Sequence, residues 1–199
     1  MAQVFTFMSA SVDGYICGPN GGPGAGLDSN EPIFDWYFTG DHPSRCYPDF
    51  AMTPANAGVI DAIGLRIGAV VAGRTTYEDS SRWGGAGPHP TAPLFVLSHE
   101  PIPDAASSQT IVTDGIEAAI GQATAAAARD GKDVALMGGA TITSALKAGL
   151  LDEIIVNERP VLLGGGTPLF GDLPQAITLE RTSVAANEGV THLTYRVLR

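Results

Sequence analysis

One stretch of sequence decides the fold of this protein: Val134-Ala-Leu-Met-Gly-Gly-Ala-Thr141. A short apolar run, typical of a buried strand, stops there at two glycines. Apolar side chains then recur at helical spacing at Ile142, Ala145 and Leu146, and Gly149 suits a left-handed residue at the end of that helix. The stretch therefore predicts a buried strand, a glycine turn and a helix.

A glycine turn at the start of a helix is suited to binding an anion. Glycines let the backbone approach a ligand closely, and the free amides of the first helical turn point towards it with a favourable dipole. The candidate ligands of a phosphate or pyrophosphate are Gly138, Gly139, Ala140 and Thr141. A tight turn whose glycines serve only packing is the alternative, because short glycine motifs often occur by chance.

Composition excludes several classes of protein. The chain has 199 residues, 44% of them hydrophobic, which we interpret as one domain over residues 1–199 with a sizeable core. Its net charge is −10 and Lys and Arg form no block, so nucleic acid and anionic membranes are poor partners.

The cysteines and the first residues bear on location and metal binding. Cys17 and Cys46 lie far apart and form no ligand cluster with histidine, so no metal site is expected, and isolated thiols fit a reducing compartment. The chain has no long apolar run, and its start lacks the basic region and apolar core of a signal peptide. A cytoplasmic protein is therefore expected.

Strands and helices alternate through the middle of the sequence. The predicted strands are residues 3–8, 69–72, 94–97, 110–113, 134–137 and 153–156. The predicted helices are residues 55–67, a short one from Thr75 or Thr76 to Trp83, residues 114–128 and the helix after the glycine turn. Residues 176–185 and 191–198 predict a closing hairpin. The expected fold is α/β, a single domain whose mostly parallel central sheet is flanked by helices and ends in an antiparallel C-terminal hairpin.

Three local features carry further expectations. Asp114 and Glu117 resemble a capping box at the start of a helix. Pro160 places the strand before it at a sheet edge or a bulge. The loop Gly18–Gly26 has no core-forming residue, and both a mobile flap and an ordinary surface insertion fit it.

Polar residues collect where the predicted strands end, at Ser9–Asp13, Gly73–Thr76, Ser98–His99 and the glycine turn. In a parallel sheet these ends meet at one edge, and ligands bind outside that edge. Arg74 and the threonine hydroxyls can hold one phosphate, Ser98 and His99 a second and the glycine turn a third, which together match NADPH. The plainer interpretation is a surface ion pair for Arg74 and ordinary loop residues for the other two.

The order of five motifs resembles the dihydrofolate-reductase-like superfamily, in particular the branch with the reductase domain of bacterial riboflavin biosynthesis. The motifs are Ser11–Ile16, Val71–Glu78, Val96–His99, Leu136–Ala140 and Pro160–Phe170. The resemblance covers nearly the whole chain. It implies NADPH bound across the sheet edge, a small-molecule substrate, a cytosolic location and a homodimer.

The same resemblance implies roles for individual residues. The residues near the adenine-side phosphate would be Gly73, Arg74, Thr75 and Thr76, and those near the 2′-phosphate Ser98 and His99. The pyrophosphate would lie at Gly138, Gly139, Ala140 and Thr141, and the nicotinamide near Ser9 and Ile16.

Asp35, beside Trp36 and Phe38, is the candidate catalytic residue. Dihydrofolate reductases carry an acid among aromatics in the first helix after the nicotinamide loop, and Asp35 is the best match. A partly desolvated carboxyl there would have a raised pKa and could hydrogen-bond a pterin or direct a proton to it. The alternative is a helix-cap or surface aspartate near a core of aromatics.

Two departures from the riboflavin branch concern the substrate. Phe7 and Met8 stand where a basic residue is expected, and Glu78–Trp83 replaces an acid-rich Asp-Asp-Pro segment, which argues against a ribosyl-phosphate aminopyrimidine. The leading hypothesis is an NADPH-dependent oxidoreductase that transfers a hydride to a pterin/folate-like or pyrimidine-type heterocycle. The alternative is a non-catalytic nucleotide-binding or dimeric regulatory module on the same fold.

Overall fold

The structure is a computed structural model that describes residues 2–21 and 32–199. The strands are β1 (Val4–Ser11), β2 (Tyr15–Cys17), β3 (His42–Pro43), β4 (Ala51–Met52), β5 (Ile67–Gly73), β6 (Leu94–Leu97), β7 (Gln109–Val112), β8 (Asp133–Met137), β9 (Glu153–Arg159), β10 (Thr167–Pro168), β11 (Leu179–Asn187) and β12 (Val190–Val197). The α-helices are α1 (Pro54–Arg66), α2 (Arg74–Asp79), α3 (Ile116–Ala127) and α4 (Gly139–Lys147).

An eight-stranded sheet in the order β11–β12–β9–β1–β8–β5–β6–β7 forms the centre of the molecule. Every neighbouring pair from β9 to β7 is parallel, whereas β12 runs antiparallel to both β9 and β11. The α/β fold with a mostly parallel sheet and an antiparallel C-terminal hairpin is therefore confirmed.

Both faces of the sheet are covered by helices, and side chains that alternate along a strand pack on one face or the other. Val71 and Leu136 pack in one apolar cluster with the buried faces of α3 and α4. Their neighbours Val70 and Ala135 pack in a second cluster on the other face, together with Ile60 of α1. Strands buried on both faces explain why the sequence shows continuous apolar runs rather than alternation.

The stretch from Val134 folds as predicted. β8 ends at Met137, Gly138 takes a left-handed φ of 94°, and α4 begins at Gly139. Ile142, Ala145 and Leu146 of α4 are buried. Gly149, just past the helix, has a φ of 67°, the left-handed conformation expected there.

Three predictions made from the sequence about individual helices and strands are wrong. The N-cap of α3 is Gly115 with a φ of 93°, and no described side chain caps the helix, so Asp114 and Glu117 form no capping box. β9 is not an edge strand, since it pairs with β1 on one side and β12 on the other. Pro160 is compatible with this interior position because it follows the last residue of β9 and removes no hydrogen bond between the strands. The short helix towards Trp83 is interrupted, since α2 ends at Asp79.

Parts of the sequence scheme lie outside the described residues. The loop Gly18–Gly26 is one of them from residue 22 onwards. Within residues 2–21 and 32–199, no helix combines the length and apolar character needed to cross a bilayer.

Candidate functional site

A cleft of about 750 Å³ opens where β1, β5, β6, β7 and β8 end. This volume falls within the range of small-molecule sites. Because the strands are parallel, their carboxyl ends lie at one edge and bring residues of the four predicted stretches together, although Ser9 alone of Ser9–Asp13 lines the cleft. The lining includes every residue predicted to bind the cofactor: Ser9, Ile16, Gly73, Arg74, Thr75, Thr76, Ser98, His99, Gly138, Gly139, Ala140 and Thr141.

Two longer helices begin at this cleft with glycine N-caps. Gly138 precedes α4 and Gly115 precedes α3, and within the described residues no side chain caps either helix. The amides of a first helical turn have no partner inside the helix, so they remain available to an anionic ligand. The helix α3 was predicted from the sequence, but its start was not recognised as a candidate anion site. Residues 110–116 nevertheless repeat the order of strand, glycine and helix seen at α4.

The loops after β5 and β8 pack tightly against each other. A Cβ atom on Gly73 would lie 2.6 Å from Oγ1 of Thr141, and one on Gly138 would overlap Oγ1 of Thr76. A Cβ atom on Gly139 would likewise overlap the carbonyl oxygen of Pro168. The glycines therefore serve packing, as the plainer interpretation held, and the same packing holds both threonine hydroxyls at the cleft.

Arg74 is exposed at the first position of α2. The salt bridges found among residues 2–21 and 32–199 do not include it. Its guanidinium group contributes to lowering the pKa of the Asp104 carboxyl, but as the smallest of several causes. Arg74 is therefore available to bind a phosphate group in the cleft.

Ser98 and His99 differ in what they can offer a ligand. Ser98 is buried, and its Oγ donates a hydrogen bond to the carbonyl oxygen of Glu100 at 2.6 Å and accepts one from the Glu100 amide at 3.3 Å. Its hydroxyl hydrogen is thus used within its own turn. His99 is exposed on the cleft, so it is the better candidate to contact a phosphate.

The hydroxyl of Ser9 is fixed by two aromatic side chains. Nε1 of Trp36 donates a hydrogen bond to Oγ of Ser9 at 3.1 Å. Oγ of Ser9 in turn donates one to the hydroxyl oxygen of Tyr37 at 3.4 Å. Burial raises the pKa of Tyr37 to about 12, although hydrogen bonds with Ser9 and Asn157 oppose the shift. Tyr37 is therefore a neutral phenol at physiological pH, and it lines the cleft as Ile16 does.

Asp35 does not lie where the sequence places it. It is exposed and does not line the cleft, so the expected partial desolvation is wrong. The 3₁₀ turn Asp35–Phe38 directs Trp36 and Tyr37 into the core, which leaves the first and last residues of this short turn facing solvent. The position matches the alternative of a surface aspartate beside aromatics.

The other half of the cleft is lined by aromatic side chains, here called the aromatic lobe: Phe34, Tyr37, Tyr47, Phe50 and Trp83. The ring centroid of Phe50 lies 4.6 Å from that of Tyr37 and 5.4 Å from that of Tyr47. Sequence reasoning missed Tyr47 and Phe50, which lie in an irregular, proline-broken segment. Their one signal was an apolar pair in an otherwise polar loop.

The sequence profile of the RibD C-terminal domain family matches residues 2–193. The chain belongs to this family. Membership agrees with the resemblance that the order of motifs indicates.

Solved structures of similar fold include a putative riboflavin biosynthesis protein and a dihydrofolate reductase. A putative riboflavin biosynthesis protein from Shewanella sp. PV-4 is 27% identical, with both chains fully covered and a TM-score of 0.70. Dihydrofolate reductase from Enterococcus faecalis, complexed with NADP(H), is 15% identical with a TM-score of 0.61, and the match covers 99% of this chain and 97% of that one. At this identity the likeness to dihydrofolate reductase concerns the fold alone.

Among curated proteins, the uncharacterized protein YyaP of Bacillus subtilis (strain 168) is 42% identical over 67 residues. The match spans 33% of this chain and 36% of YyaP, so it covers only about a third of either protein.

Within the described residues, two carboxyl groups line the cleft, those of Asp49 and Asp79. The pKa of Asp79 is raised by burial and, secondarily, by the charge of Glu78. Asp79 ends α2 one residue after the motif Val71–Glu78, so its position in the sequence could have indicated it as a candidate. The described residues hold no group of three or more His, Cys, Asp or Glu side chains arranged to bind a metal.

Proposed function

We propose that this protein is an NADPH-dependent reductase that transfers a hydride to a pterin/folate-like or pyrimidine-type heterocycle. The observation that carries the proposal is the convergence of four separate stretches of sequence on one cleft at the sheet edge. Membership of the RibD C-terminal domain family supports a reductase-type protein. The NADP(H) complex of the Enterococcus faecalis enzyme supports the choice of cofactor on this fold.

The cleft residues fit a dinucleotide with several phosphate groups. The uncapped starts of α3 and α4 would hold the pyrophosphate, and Arg74 with the hydroxyls of Thr75 and Thr76 would hold an adenine-side phosphate. The reduced nicotinamide supplies the hydride when the cofactor is bound. The protein would align the two rings and exclude water between them.

Asp79 is better placed than Asp35 to hold a proton for the substrate. Asp79 lines the cleft and its pKa is raised, whereas Asp35 is exposed outside it. A carboxyl with a raised pKa is the more effective general acid near neutral pH. The proton would therefore come from Asp79 or from water.

The cofactor assignment is tested by titrating the protein with NADPH and with NADH in a calorimeter. We expect NADPH to bind far more tightly, and the double variant Arg74→Ala, His99→Ala to lose NADPH affinity by about tenfold or more beyond any loss of NADH affinity, because only NADPH carries the 2′-phosphate proposed to lie at His99. Arg129→Ala removes an exposed positive charge that does not line the cleft and serves as the control. Equal affinity of the parent protein for both cofactors would overturn the assignment.

Turnover separates the reductase from the non-catalytic module. Oxidation of NADPH that depends on an added pterin, dihydrofolate or pyrimidine supports the reductase. NADPH binding with no oxidation in the presence of any of them supports a nucleotide-binding module on the same fold. The homodimer stays a prediction, which sedimentation velocity would test.

A further inference from the structure

Positive charge is unevenly distributed around the cleft. All eleven Lys and Arg residues of the sequence fall within the described residues, and Arg74 alone among them lines the cleft. It begins α2, next to the residues that would hold the cofactor phosphates. The aromatic lobe therefore has no Lys or Arg of its own.

Both acidic side chains among the described residues that line the cleft, in contrast, are close in sequence to residues of the aromatic lobe. Asp79 is partly buried at the end of α2, and the exposed Asp49 lies between Tyr47 and Phe50 in sequence. Burial and, secondarily, the charge of Glu78 raise the pKa of Asp79, and none of the salt bridges among the described residues includes its carboxylate.

Of the two histidines among the described residues that line the cleft, His99 belongs to the proposed phosphate ligands and His89 contacts Tyr47 of the aromatic lobe. His89 also lines the cleft, and burial lowers its pKa, so its ring is neutral at physiological pH. Lys132 lies close enough to contribute to that shift but does not line the cleft.

One buried polar group in the lobe has no partner. The hydroxyl oxygen of Tyr47 is inaccessible to solvent, and no group in the described residues forms a hydrogen bond with it. Its ring is held by Phe50 and, edge-on at 5.8 Å, by His89. A buried hydroxyl without a partner is unfavourable, and a small shift of the partly exposed Tyr47 side chain towards a ligand acceptor in the cleft would relieve this cost.

From this arrangement, and resting on the reductase proposed above, we propose that the aromatic lobe selects a flat ring with no anionic substituent. The ring would stack on the side chains of the lobe and accept a hydrogen bond from the Tyr47 hydroxyl at a carbonyl oxygen or ring nitrogen. A phosphate or carboxylate on the substrate would lose its hydration beside Asp49 and Asp79 without gaining a cation. Phosphorylated and carboxylated heterocycles are therefore poor substrates, and neutral or cationic ones are favoured.

The test is direct binding, measured by calorimetry without any nicotinamide cofactor, of two pairs of ligands that share a ring. The pairs are hydroxymethylpterin with pterin carboxylic acid, and riboflavin with its phosphate ester. We expect the uncharged member of at least one pair to bind about tenfold or more tightly than its anionic partner. The proposal is overturned if the anionic members bind as tightly, or if no member of either pair binds. Since no cofactor is present, the result does not depend on reductase activity.

Variants separate the two parts of the proposal. Tyr47→Phe keeps the ring and removes the hydroxyl, so the uncharged ligand should bind about five- to tenfold more weakly. The double variant Asp49→Asn, Asp79→Asn should reduce the discrimination against the anionic ligand severalfold. The control is the double variant Asp130→Asn, Asp172→Asn, which changes the net charge by the same amount at exposed positions that do not line the cleft. It should leave the discrimination against the anionic ligand unchanged. Unaltered discrimination in the first double variant would refute the role of these carboxylates.

Discussion

Gly138 shows how one residue serves both the fold and the candidate site. Its φ of 94° is readily adopted by glycine, and the space where a Cβ would stand is occupied by the Thr76 hydroxyl. The same conformation turns the chain from β8 into α4 and leaves the first amides of the helix at the cleft.

Replacing Gly138 by alanine should therefore affect stability and ligand binding together. We expect Gly138→Ala to lower the free energy of unfolding by about 2 kcal/mol, because a left-handed alanine is strained and its Cβ overlaps Thr76. Urea denaturation measures the change, and NADPH titration should show weaker binding. Gly58→Ala is the matched control: this helical, exposed glycine has free space around its Cβ position, so the variant should be as stable as the parent or more so. Equal losses in both variants would contradict the argument.

From the sequence, the site residues placed by the backbone at strand ends are easier to predict than those placed by the packing of their side chains. Gly73, Gly138 and Ser98 follow apolar strands, and parallel pairing brings such positions together without further information. Asp35 could not be placed in this way, because its exposure depends on which residues of a short turn face inwards. Tyr47 reaches the cleft from an irregular segment whose path is set by tertiary contacts, so no local pattern indicates it.

At the scale of elements, the turn after α2 is the least regular part of the site. Ser81, Arg82 and Trp83 have φ values of 49°, 55° and 47°, which are unusual for residues other than glycine. Arg82 forms ion pairs with Glu78 at 2.9 Å and Asp104 at 2.7 Å. The turn brings the Trp83 ring to the aromatic lobe, so its strain is consistent with a functional position.

Gln109 of β7 supports this turn from the core. Its side-chain Nε2 donates to the carbonyl oxygens of Arg82 and Ala86, both at 2.8 Å, and its Oε1 accepts from the Tyr77 hydroxyl at 2.7 Å. Gln109 is buried, so each of these groups would lose its partner if the side chain were removed.

We expect Gln109→Ala to lower the free energy of unfolding by about 2 kcal/mol or more and to weaken binding of a flat ring in the aromatic lobe. NADPH affinity should change much less, because the proposed phosphate ligands lie on other loops. Arg82→Ala is the comparison: it removes partly exposed ion pairs, which contribute less than buried hydrogen bonds, so its effect should be clearly smaller. Urea denaturation and calorimetry measure both quantities. A larger loss for the Arg82 variant would show that the ion pairs, rather than Gln109, hold the turn.

The sequence predicted elements correctly where the hydrophobic pattern is clear and failed where the backbone conformation is unusual. β6 and the hairpin β11–β12 have clear patterns and were found. The helix predicted through Trp83 was wrong because three successive left-handed residues leave no mark in hydrophobic spacing. The position of β9 in the sheet was wrong because pairing with β12 depends on the fold of the whole chain.

At the scale of the whole molecule, a buried polar cluster joins the C-terminal hairpin to the rest of the fold. The two ring nitrogens of His192 lie 2.8 Å from the Asn157 side chain of β9 and 3.2 Å from the Asn56 side chain of α1. The Trp36 ring packs edge-on against the imidazole at 5.3 Å. Because these partners come from distant parts of the sequence, the cluster forms only when the complete fold has formed.

This cluster makes stability depend on pH. Burial lowers the pKa of His192 to about 4, whereas an unfolded chain has a histidine pKa of about 6.5. Between these values the unfolded state binds a proton that the folded state excludes, so stability falls as pH drops through this window. The lowered pKa of His89 acts with the same sign. The loss attributable to His192 should reach about 2 to 3 kcal/mol at pH 4.

Urea denaturation of the parent and of His192→Gln, at intervals between about pH 7 and pH 4, isolates this contribution. The variant should be less stable than the parent near neutral pH, because the cluster loses its imidazole, but its stability should fall less steeply with acid. His42→Gln, at an exposed position on β3, controls for the loss of a histidine and should keep the slope of the parent. If His192→Gln also keeps that slope, the proton excluded on folding belongs to another group, and the buried cluster does not set the acid limit of this fold.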